Sequence, residues 1–448
     1  MRNVKKGLIA GTVIFAMSLM SGCAQKNEIQ ILDSSETLCE TVTGGQLENL
    51  EDAGHRAYVE IVLEEAIQIL CVKEGCSLEE AEKRLAEENF SIYTNFDQAI
   101  YASMKSTYEK YQENNLSFAS AVTDLNGKLI AAYSGGESEE YVNYVTTKTP
   151  PYSSFKPLSV YTPAIEKGLT NWSKAYEDSP VKQVEDSGGV LRDWPANATG
   201  TYTNEDMLVC EAIKKSTNTV AVKCLQEYGV LNSIEYLKER FGLFLNTEEN
   251  MAYAVGEEEI IGNIALGYLF EGVSPVNMAG YYQVFANGGK YEAPKTIAKI
   301  CASDGSVLYE AESNMKQVLN KEVVYVMNLL LRGVVNPGGT ADSIQIENVE
   351  VGGKTGTGEI GNWFVGFTPE YTCAVWHGKE IRNNNTDDMF AEMVSRFQHN
   401  EEAEYPKCGT VKEMVYCRES GKLVSGKCRQ IDRGYYISGD TLETCDKH

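Results

Sequence analysis

Apolar residues recur at helical spacing in the first part of the chain. Between residues 57 and 88 they form a stripe that predicts a helix, and a second helix is predicted to start at a capping box of Ser77 and Glu80. Residues 98–111 repeat the helical spacing. The pattern therefore predicts a helical linker region over residues 51–115.

After the linker the period of the apolar residues shortens from that of a helix to that of a strand. Two runs, residues 118–122 and 128–133, flank an Asn126-Gly127 pair. Asn-Gly between alternating runs is typical of a two-residue hairpin turn, because both residues tolerate positive φ. A β-hairpin is therefore expected here.

Strand character returns late in the chain, at residues 351–353 and 363–375, while residues 156–241 are mostly helical between loops that contain glycine and proline. An early hairpin, late strands and helices between them predict an antiparallel sheet whose edges come from both ends of the domain. We expect this α+β domain to span residues 116–400.

The N-terminus has the pattern of an export signal. A basic start precedes an uncharged apolar run over residues 7–20 that is too short for a comfortable membrane span. The following Ser-Gly-Cys23 resembles the lipobox of bacterial lipoproteins, whose cysteine is lipidated. We expect a signal peptide over 1–22, a polar tether over 23–50 and a lipid anchor on the outer face of the cell membrane; the alternative is an ordinary signal peptide with a nearby cysteine.

Composition narrows the partners. The 448 residues exceed one compact core, and the net charge of −24 excludes nucleic acid as a partner. Because no Cys-x-x-Cys pair or Cys/His cluster with zinc spacing stands out, we expect no metal site and no cofactor. The Cys-containing tail over residues 401–448 predicts a local staple with open pairing, formed by four cysteines: Cys408, Cys417, Cys428 and Cys445.

Three short motifs carry the candidate chemistry, and the first pairs Ser153 with Lys156. A serine and a lysine at i and i+3 lie on one face of a helical turn, so a deprotonated lysine can take the hydroxyl proton. Two other Ser-x-x-Lys matches begin at Ser179 and Ser313. Ser179 precedes a proline in a loop-like stretch, and Ser313 lies in a polar segment with no partner motifs at suitable spacing, so we expect neither to act.

The second motif is Ser216-Thr217-Asn218, the only Ser-x-Asn in the chain, and the third is Lys354-Thr355-Gly356-Thr357, the only Lys-Thr-Gly. The third lies where a strand is predicted, and its glycine is expected to let substrate approach the strand backbone. In this order the three motifs resemble the signature of penicillin-binding proteins and serine β-lactamases.

The flanking sequences resemble the class A penicillin-binding proteins. These include the Ser-Ser-Phe-Lys-Pro of residues 153–157, the Phe-Ala-Asn-Gly-Gly of residues 285–289 and the segment 362–369. The resemblance covers about residues 55–448. It implies an α+β penicillin-binding/serine β-lactamase-like transpeptidase fold, with an antiparallel sheet and a helical subdomain. Tyr152 stands where many relatives have glycine.

The same resemblance implies a D,D-transpeptidase that cross-links peptidoglycan stem peptides and is inhibited covalently by β-lactams. The alternatives are a D,D-carboxypeptidase or β-lactamase of the same fold, or a β-lactam-binding sensor or scaffold without turnover. Class A members also carry a glycosyltransferase domain. Since only about thirty residues follow Cys23 before the linker, we expect that domain to be absent and a separate glycan polymerase to be a partner.

The resemblance assigns a role to each motif residue. Ser153 is the nucleophile and Lys156 its general base, while Lys354 supplies a cation. Ser216 relays a proton to the leaving amine, and Asn218 holds Lys156 or the substrate amide. Backbone N–H groups of the first and third motifs stabilise the oxyanion. The substrate-binding residues of the third motif are Thr355, Gly356 and Thr357.

Overall fold

The computed structural model describes residues 27–43, 46–47, 50, 52–111, 116–136, 141–185, 188–245, 257–378 and 386–448. The signal peptide expected over 1–22 and the lipidation site Cys23 lie outside these ranges. Within them, no helix combines the length and the apolar character that crossing a membrane requires.

The elements alternate between short strands and helices. The helices are α1 (Ala53–Glu74), α2 (Leu78–Glu87), α3 (Gln98–Tyr111), α4 (Thr162–Glu166), α5 (Val209–Lys215), α6 (Asn218–Tyr228), α7 (Val230–Phe241), α8 (Glu257–Leu266), α9 (Pro275–Ala286), α10 (Lys321–Arg332) and α11 (Thr386–Val394). The strands are β1 (Glu28–Leu32), β2 (Leu38–Thr43), β3 (Phe90–Thr94), β4 (Phe118–Asp124), β5 (Leu129–Gly135), β6 (Ala175–Glu177), β7 (Lys182–Glu185), β8 (Leu191–Trp194), β9 (Asp206–Leu208), β10 (Lys290–Tyr291), β11 (Ile297–Ala302), β12 (Val307–Glu310), β13 (Lys316–Gln317), β14 (Gly352–Thr357), β15 (Gly361–Phe367), β16 (Tyr371–Gly378), β17 (Lys412–Cys417) and β18 (Ile431–Tyr436).

The central sheet has the order β14-β15-β16-β4-β5, and its pairs are antiparallel. One edge strand comes from the late part of the domain and the other from the early hairpin, as the sequence predicted. The hairpin turn is held by Asp124, whose carboxylate accepts the backbone N–H groups of Asn126 and Lys128 at 2.8 Å each. An Asx-type bond of this kind stabilises a tight turn.

Helices cover both faces of the central sheet. The ring of Phe364 packs on Phe390 of α11 with centroids 4.8 Å apart. Three residues further along β15, Phe367 faces Phe285 of α9 at 6.3 Å. Residues of opposite parity on a strand point to opposite faces, so the sheet is sandwiched between helices, and the α+β prediction is confirmed.

The expected polar tether over residues 23–50 was wrong for much of its length. β1 and β2 lie in a second sheet of order β12-β11-β3-β1-β2, in which β1 runs parallel to β3. Ile29 and Ile31 are buried, with 3% and 0% of their surface exposed. The alternation of these isoleucines with Glu28 and Gln30 is a strand signal that the acidic composition obscured.

Helix α1 ties the second sheet to the central one. Tyr58 donates its hydroxyl to the carbonyl oxygen of Leu129 in β5 at 3.0 Å. On the other side Glu65 accepts the backbone N–H of Thr296, beside β11, at 2.6 Å. The segment expected to be a simple linker therefore packs as part of the domain.

The finer predictions hold unevenly. Ser77 and Glu80 form the expected capping box at the start of α2, and α3 spans residues 98–111 as predicted. The middle region, expected to be mostly helical, also contains two short antiparallel pairs, β6 with β9 and β7 with β8. Such short strands leave no periodic signal in the sequence.

The C-terminal tail consists of the β17–β18 hairpin and the loops around it. Every cysteine in the described ranges is a free thiol. The sequence spacing did not reveal a Cys/His cluster, but the fold places Cys417, Cys428, Cys445 and His448 together. Of the four tail cysteines, only Cys408 stays outside this group.

Candidate active site

The first motif lies on a tight turn rather than on a regular α-helix. Residues Tyr152–Phe155 form a 3₁₀ turn, and the backbone N–H of Lys156 closes it by donating to the carbonyl oxygen of Ser153. In 3₁₀ geometry the side chains at i and i+3 are eclipsed, which sets the two motif residues on one side. Ser153 is half-buried, whereas Lys156 is only 1% exposed.

The side-chain nitrogen of Lys156 connects the first motif to the second. Its Nζ donates to the carbonyl oxygen of Ser216 at 2.8 Å and to Oδ1 of Asn218 at 2.6 Å. The amide of Asn218 is oriented by its Nδ2, which donates to the carbonyl oxygen of Ala196 at 2.6 Å. The oxygen of Asn218 is therefore the atom that faces the lysine.

Ser216 owes its position to the end of α5. It caps this helix in the left-handed conformation, with φ of 60°. Its Oγ accepts a hydrogen bond from Nζ of Lys354 at 2.8 Å, so the second motif contacts the third. Lys354 Nζ also donates to the carbonyl oxygen and Oγ1 of Thr355, at 3.1 and 3.3 Å.

Two lysines thus share one buried site, and the structure pairs neither with a carboxylate in the described ranges. Burial, together with the nearby Lys354 charge, lowers the pKa of Lys156 well below its usual value. Burial alone lowers the pKa of Lys354 to about 7. Charged amines resist transfer out of water, so at least one of the two is neutral at neutral pH.

The hydrogen-bond geometry indicates which lysine is neutral. Among the described residues, Lys156 Nζ contacts two acceptors, which matches the two hydrogens of a neutral amine. Lys354 Nζ contacts three acceptor atoms, which matches an ammonium group. The hydrogen-bond pattern therefore favours Lys156 as the neutral amine and Lys354 as the ammonium group.

Gly356 is required by the approach of the nucleophile turn to β14. A Cβ at this position would lie 2.4 Å from the carbonyl oxygen of Pro151 and 3.2 Å from Cβ of Ser154. The sequence led us to expect that this glycine admits substrate to the strand. In the structure, the segment that this glycine allows to approach β14 is the turn that carries Ser153. Thr357, at the end of β14, is exposed beside the turn.

Tyr152, flagged as a departure from the family pattern, adopts φ of 50°, a region that favours glycine. Its ring lies edge-on to Tyr268 with centroids 5.2 Å apart. Its hydroxyl accepts the backbone N–H of Ile360 at 3.3 Å, and a Cβ at Gly358 would overlap the ring. The side chain therefore packs beneath the β14–β15 turn, where these contacts offset the backbone strain.

Sequence reasoning missed the residues that support the second motif. Thr217, the N-cap of α6, makes no side-chain capping bond. The acceptor comes instead from Asn197, whose Oδ1 accepts the backbone N–H of Asn218 at 3.0 Å and whose Nδ2 donates to Oδ1 of Asp178 at 2.7 Å. The absence of a capping bond is visible only in three dimensions, so no local signal identified Asn197.

The two other Ser-x-x-Lys matches serve elsewhere. Ser179 accepts a hydrogen bond from Lys223 at 2.9 Å, and Ser313 donates to Glu292 at 3.2 Å. Neither hydroxyl contacts the lysines of the site, which agrees with the expectation that both matches are fortuitous.

Comparison with known proteins was made against this geometry. A family model described as the penicillin binding protein transpeptidase domain matches residues 98–392. Penicillin-binding protein 1A of Clostridium acetobutylicum is 31% identical over 395 residues, which cover 81% of this chain and 45% of that protein. Penicillin-binding protein 1A of Clostridium novyi is 32% identical over 390 residues, covering 80% and 44%. The chain spans about half the length of the curated relatives it matches.

Solved structures match the fold at lower identity. The D,D-transpeptidase domain of a peptidoglycan glycosyltransferase from Eggerthella lenta has a TM-score of 0.62 at 15% identity, covering 83% of this chain and 98% of that one. The PonA1 protein of Mycobacterium tuberculosis, in complex with penicillin V, has a TM-score of 0.61 at 18% identity, covering 77% and 93%. At these identities the likeness concerns the fold.

Proposed function

The chain belongs to the family of penicillin-binding protein transpeptidase domains, and from that premise we propose that it is a serine D,D-transpeptidase that cross-links peptidoglycan stem peptides. The observation that carries the proposal is the pair of buried lysines: Lys156 closes the tight turn that carries Ser153 and contacts Asn218, and Lys354 contacts Ser216. A separate polymerase would supply the glycan strands that carry these peptides.

Acylation begins at Ser153. Its Oγ attacks the carbonyl carbon of the penultimate D-alanine while the lone pair of Lys156 takes the hydroxyl proton. The negative charge then forms on the former carbonyl oxygen. The backbone N–H groups of Ser153 and Thr357 would stabilise it, since fixed donors need no reorganisation as charge develops.

Collapse of the tetrahedral intermediate breaks the C–N bond and releases D-alanine. The leaving amine needs a proton, which Ser216 would donate while taking another from Lys354 along their 2.8 Å hydrogen bond. A pKa near 7 suits Lys354 to this exchange, because a group transfers protons most readily near its own pKa. In the second half of the reaction, the amine of an acceptor stem peptide attacks the acyl carbon and forms the cross-link. Oγ of Ser153 leaves and takes the proton held by Lys156, and the proton lost by the attacking amine returns to Lys354 through Ser216.

The third motif would bind the terminal carboxylate of the substrate. Lys354 supplies positive charge, and the hydroxyls of Thr355 and Thr357 supply donors at the same edge strand. A β-lactam presents a carboxylate and a reactive amide in a comparable arrangement. We therefore propose that β-lactams acylate Ser153 as covalent inhibitors, which agrees with the penicillin V complex of the PonA1 protein.

The proposal is tested by mass spectrometry of the protein after incubation with penicillin. We expect a covalent adduct on the tryptic peptide that contains Ser153, and no adduct in Ser153→Ala. Ser179→Ala and Ser313→Ala are the matched controls and should be labelled like the wild type. An adduct that persists in Ser153→Ala would remove the assigned nucleophile.

The acceptor separates the transpeptidase from its alternatives. With a stem-peptide donor and an amine acceptor, a transpeptidase forms the cross-linked peptide, whereas a carboxypeptidase forms only the shortened donor. Rapid hydrolysis of penicillin would indicate a β-lactamase, and an adduct without turnover would indicate a sensor. Cross-linked product that depends on Ser153 supports the proposal, and each of the other outcomes overturns it.

We also propose that Cys23 anchors the protein through a lipid on the outer face of the membrane. The support is the basic start, the apolar run over residues 7–20 and the Ser-Gly-Cys junction. Cys23→Ser should move the protein from the detergent phase to the aqueous phase in Triton X-114 partitioning. Unchanged partitioning would contradict lipidation at this residue.

A further inference from the structure

Four metal-ligating side chains meet in the C-terminal tail, away from the site described above. One ligand atom from each of Cys417, Cys428, Cys445 and His448 lies within 4.8 Å of the others. Cys417 and Cys445 are buried, Cys428 is half-buried and His448 is exposed. Two residues separate Cys445 from His448 in a Cys-x-x-His pattern, a short spacing that lets both bind one ion.

The backbone around each cysteine is ordered by hydrogen bonds. Cys417 ends β17, and its N–H donates to the carbonyl oxygen of Lys422 at 2.8 Å. The N–H of Cys445 donates to the carbonyl oxygen of Leu423 at 2.7 Å, which fastens the end of the chain beside that turn. Backbone hydrogen bonds therefore help to fix the positions from which the three thiols converge.

Two further contacts have the character of outer-shell support. The backbone N–H of Ser425 donates to Sγ of Cys428 at 3.3 Å, which helps to fix the position of this sulfur. Oε2 of Glu419 lies 3.5 Å from Nε2 of His448. A carboxylate on one imidazole nitrogen orients the ring and leaves the other nitrogen, Nδ1, to bind a metal.

We propose that Cys417, Cys428, Cys445 and His448 form a structural zinc site. Three thiolates and one imidazole are a common tetrahedral donor set for Zn²⁺, and a full protein ligand set is typical of structural sites. On binding, the three thiols release their protons and the ion takes four protein ligands. A disulfide is the competing use of these residues, but it would join two of the three thiols and leave the third unpaired.

The site fastens a tail that has little core of its own and rests on the helical subdomain. The hydroxyls of Tyr436 and Ser173 lie 2.8 Å apart, and Ser173 also donates to the carbonyl oxygen of Gly421. Cys210, in the first turn of α5, is 3.6 Å from the hydroxyl of Tyr416. Because small units with few buried apolar residues need a staple, a metal at this place would hold the hairpin in the shape that docks.

The first experiment measures metal and thiols in the same sample. The full chain, purified without chelator, should contain one zinc ion per protein molecule by inductively coupled plasma mass spectrometry. Thiol titration after denaturation, with the labelled peptides identified by mass spectrometry, should find Cys417, Cys428 and Cys445 reduced. Protein without zinc in which two of these thiols are joined would overturn the proposal in favour of a disulfide.

The second experiment uses His448, because this exposed ligand can be changed without opening the fold. His448→Ala should weaken zinc binding by at least roughly tenfold, whereas His448→Cys should retain it, since both donor sets are typical of zinc. After cobalt substitution, the thiolate-to-cobalt absorption should be present in the wild type and in His448→Cys.

Cys408→Ser is the matched control, because this tail cysteine bonds Thr410 and lies outside the cluster. It should bind zinc like the wild type. Equal zinc affinity in His448→Ala and the wild type would show that the imidazole is not a ligand and would overturn the four-ligand site. Loss of zinc in Cys408→Ser would overturn the assignment of the cysteines.

Discussion

The cleft of the candidate active site and the C-terminal tail both concentrate reactive side chains, but they do so by opposite means. In the cleft, Lys156, Ser216 and Lys354 come from three segments far apart in the sequence, and a large core holds them together. In the tail, Cys417 and His448 belong to one short stretch that has little core around it. A large core can hold side chains that repel one another close together. A small tail with little core needs an additional bond, such as a metal–ligand bond, to hold its side chains in place.

Charge is also treated differently in the two regions. Lys354 is 1% exposed and hydrogen-bonds only to uncharged groups in the described ranges, so the energy of desolvation lowers its pKa. Lys422 in the tail lies 2.9 Å from Glu443 and 3.0 Å from Asp446 in an exposed pair of ion pairs. Exposed ion pairs stabilise little. Burial in the cleft therefore changes the protonation equilibrium of a lysine. The exposed ion pairs of the tail add too little stability to take the place of a metal or a disulfide.

The largest effect is expected when the proposed general base of the cleft, Lys156, is removed. Lys156→Met should lower the second-order rate of acylation by penicillin by about 10³-fold, because general base catalysis contributes roughly 10²–10⁴-fold. Stopped-flow fluorescence with a labelled penicillin measures the rate. Lys422→Met in the tail is the control and should react at the wild-type rate. A Lys156→Met protein that acylates within tenfold of the wild type would show that another group takes the proton.

The next largest effect is expected from a comparison of two glycine substitutions, one in the cleft and one in the tail. Gly356→Ala forces a Cβ to within 2.4 Å of Pro151, so the nucleophile turn or β14 must shift. We expect acylation to slow by about 10–100-fold and the free energy of unfolding to fall by about 1–3 kcal/mol. Gly409→Ala in the tail, where nothing lies within 4 Å, should change neither. Equal urea midpoints and rates for both variants would refute the close approach.

The smallest effect is the dependence on pH, about tenfold per pH unit outside the optimum. As pH falls, Lys156 takes up a proton and acylation slows; as pH rises through about 7, Lys354 loses its charge and acylation slows again. Penicillin acylation rates across pH should therefore form a bell. A rate that is constant from pH 5 to about 9 would contradict the assigned protonation states.

Above neutral pH, the free energy of unfolding should rise while the acylation rate falls. The tail should lose zinc in a different pH range. Between about 7 and the ordinary value for lysine, the unfolded chain holds a proton that folded Lys354 has lost, so the free energy of unfolding rises with pH. Zinc in the tail is instead lost on acidification, because protons compete for the thiolates. Urea titrations and zinc release measured at the same pH values separate the two regions.

Local order was accessible from the sequence. The capping box of Ser77 and Glu80, the bounds of α3 and the hairpin at Asn126-Gly127 follow from bonds within a few residues, and the structure contains each of them. The three motifs were recognisable for a similar reason, because each is a short run of residues with its own order. Even the two edges of the central sheet followed from where strand periodicity appears along the chain.

The sequence by itself determined the three candidate motifs, the family that they resemble and much of the local secondary structure. Only the tertiary structure decided what surrounds the motifs: burial lowers the pKa of both Lys156 and Lys354, and the parallel pairing of β1 with β3 turns an expected tether into part of a sheet. It also decided the meeting of three cysteines with His448. The physical reason is that desolvation, strand pairing and ligand distance depend on neighbours that are remote in sequence or joined by loops, and these leave no local pattern.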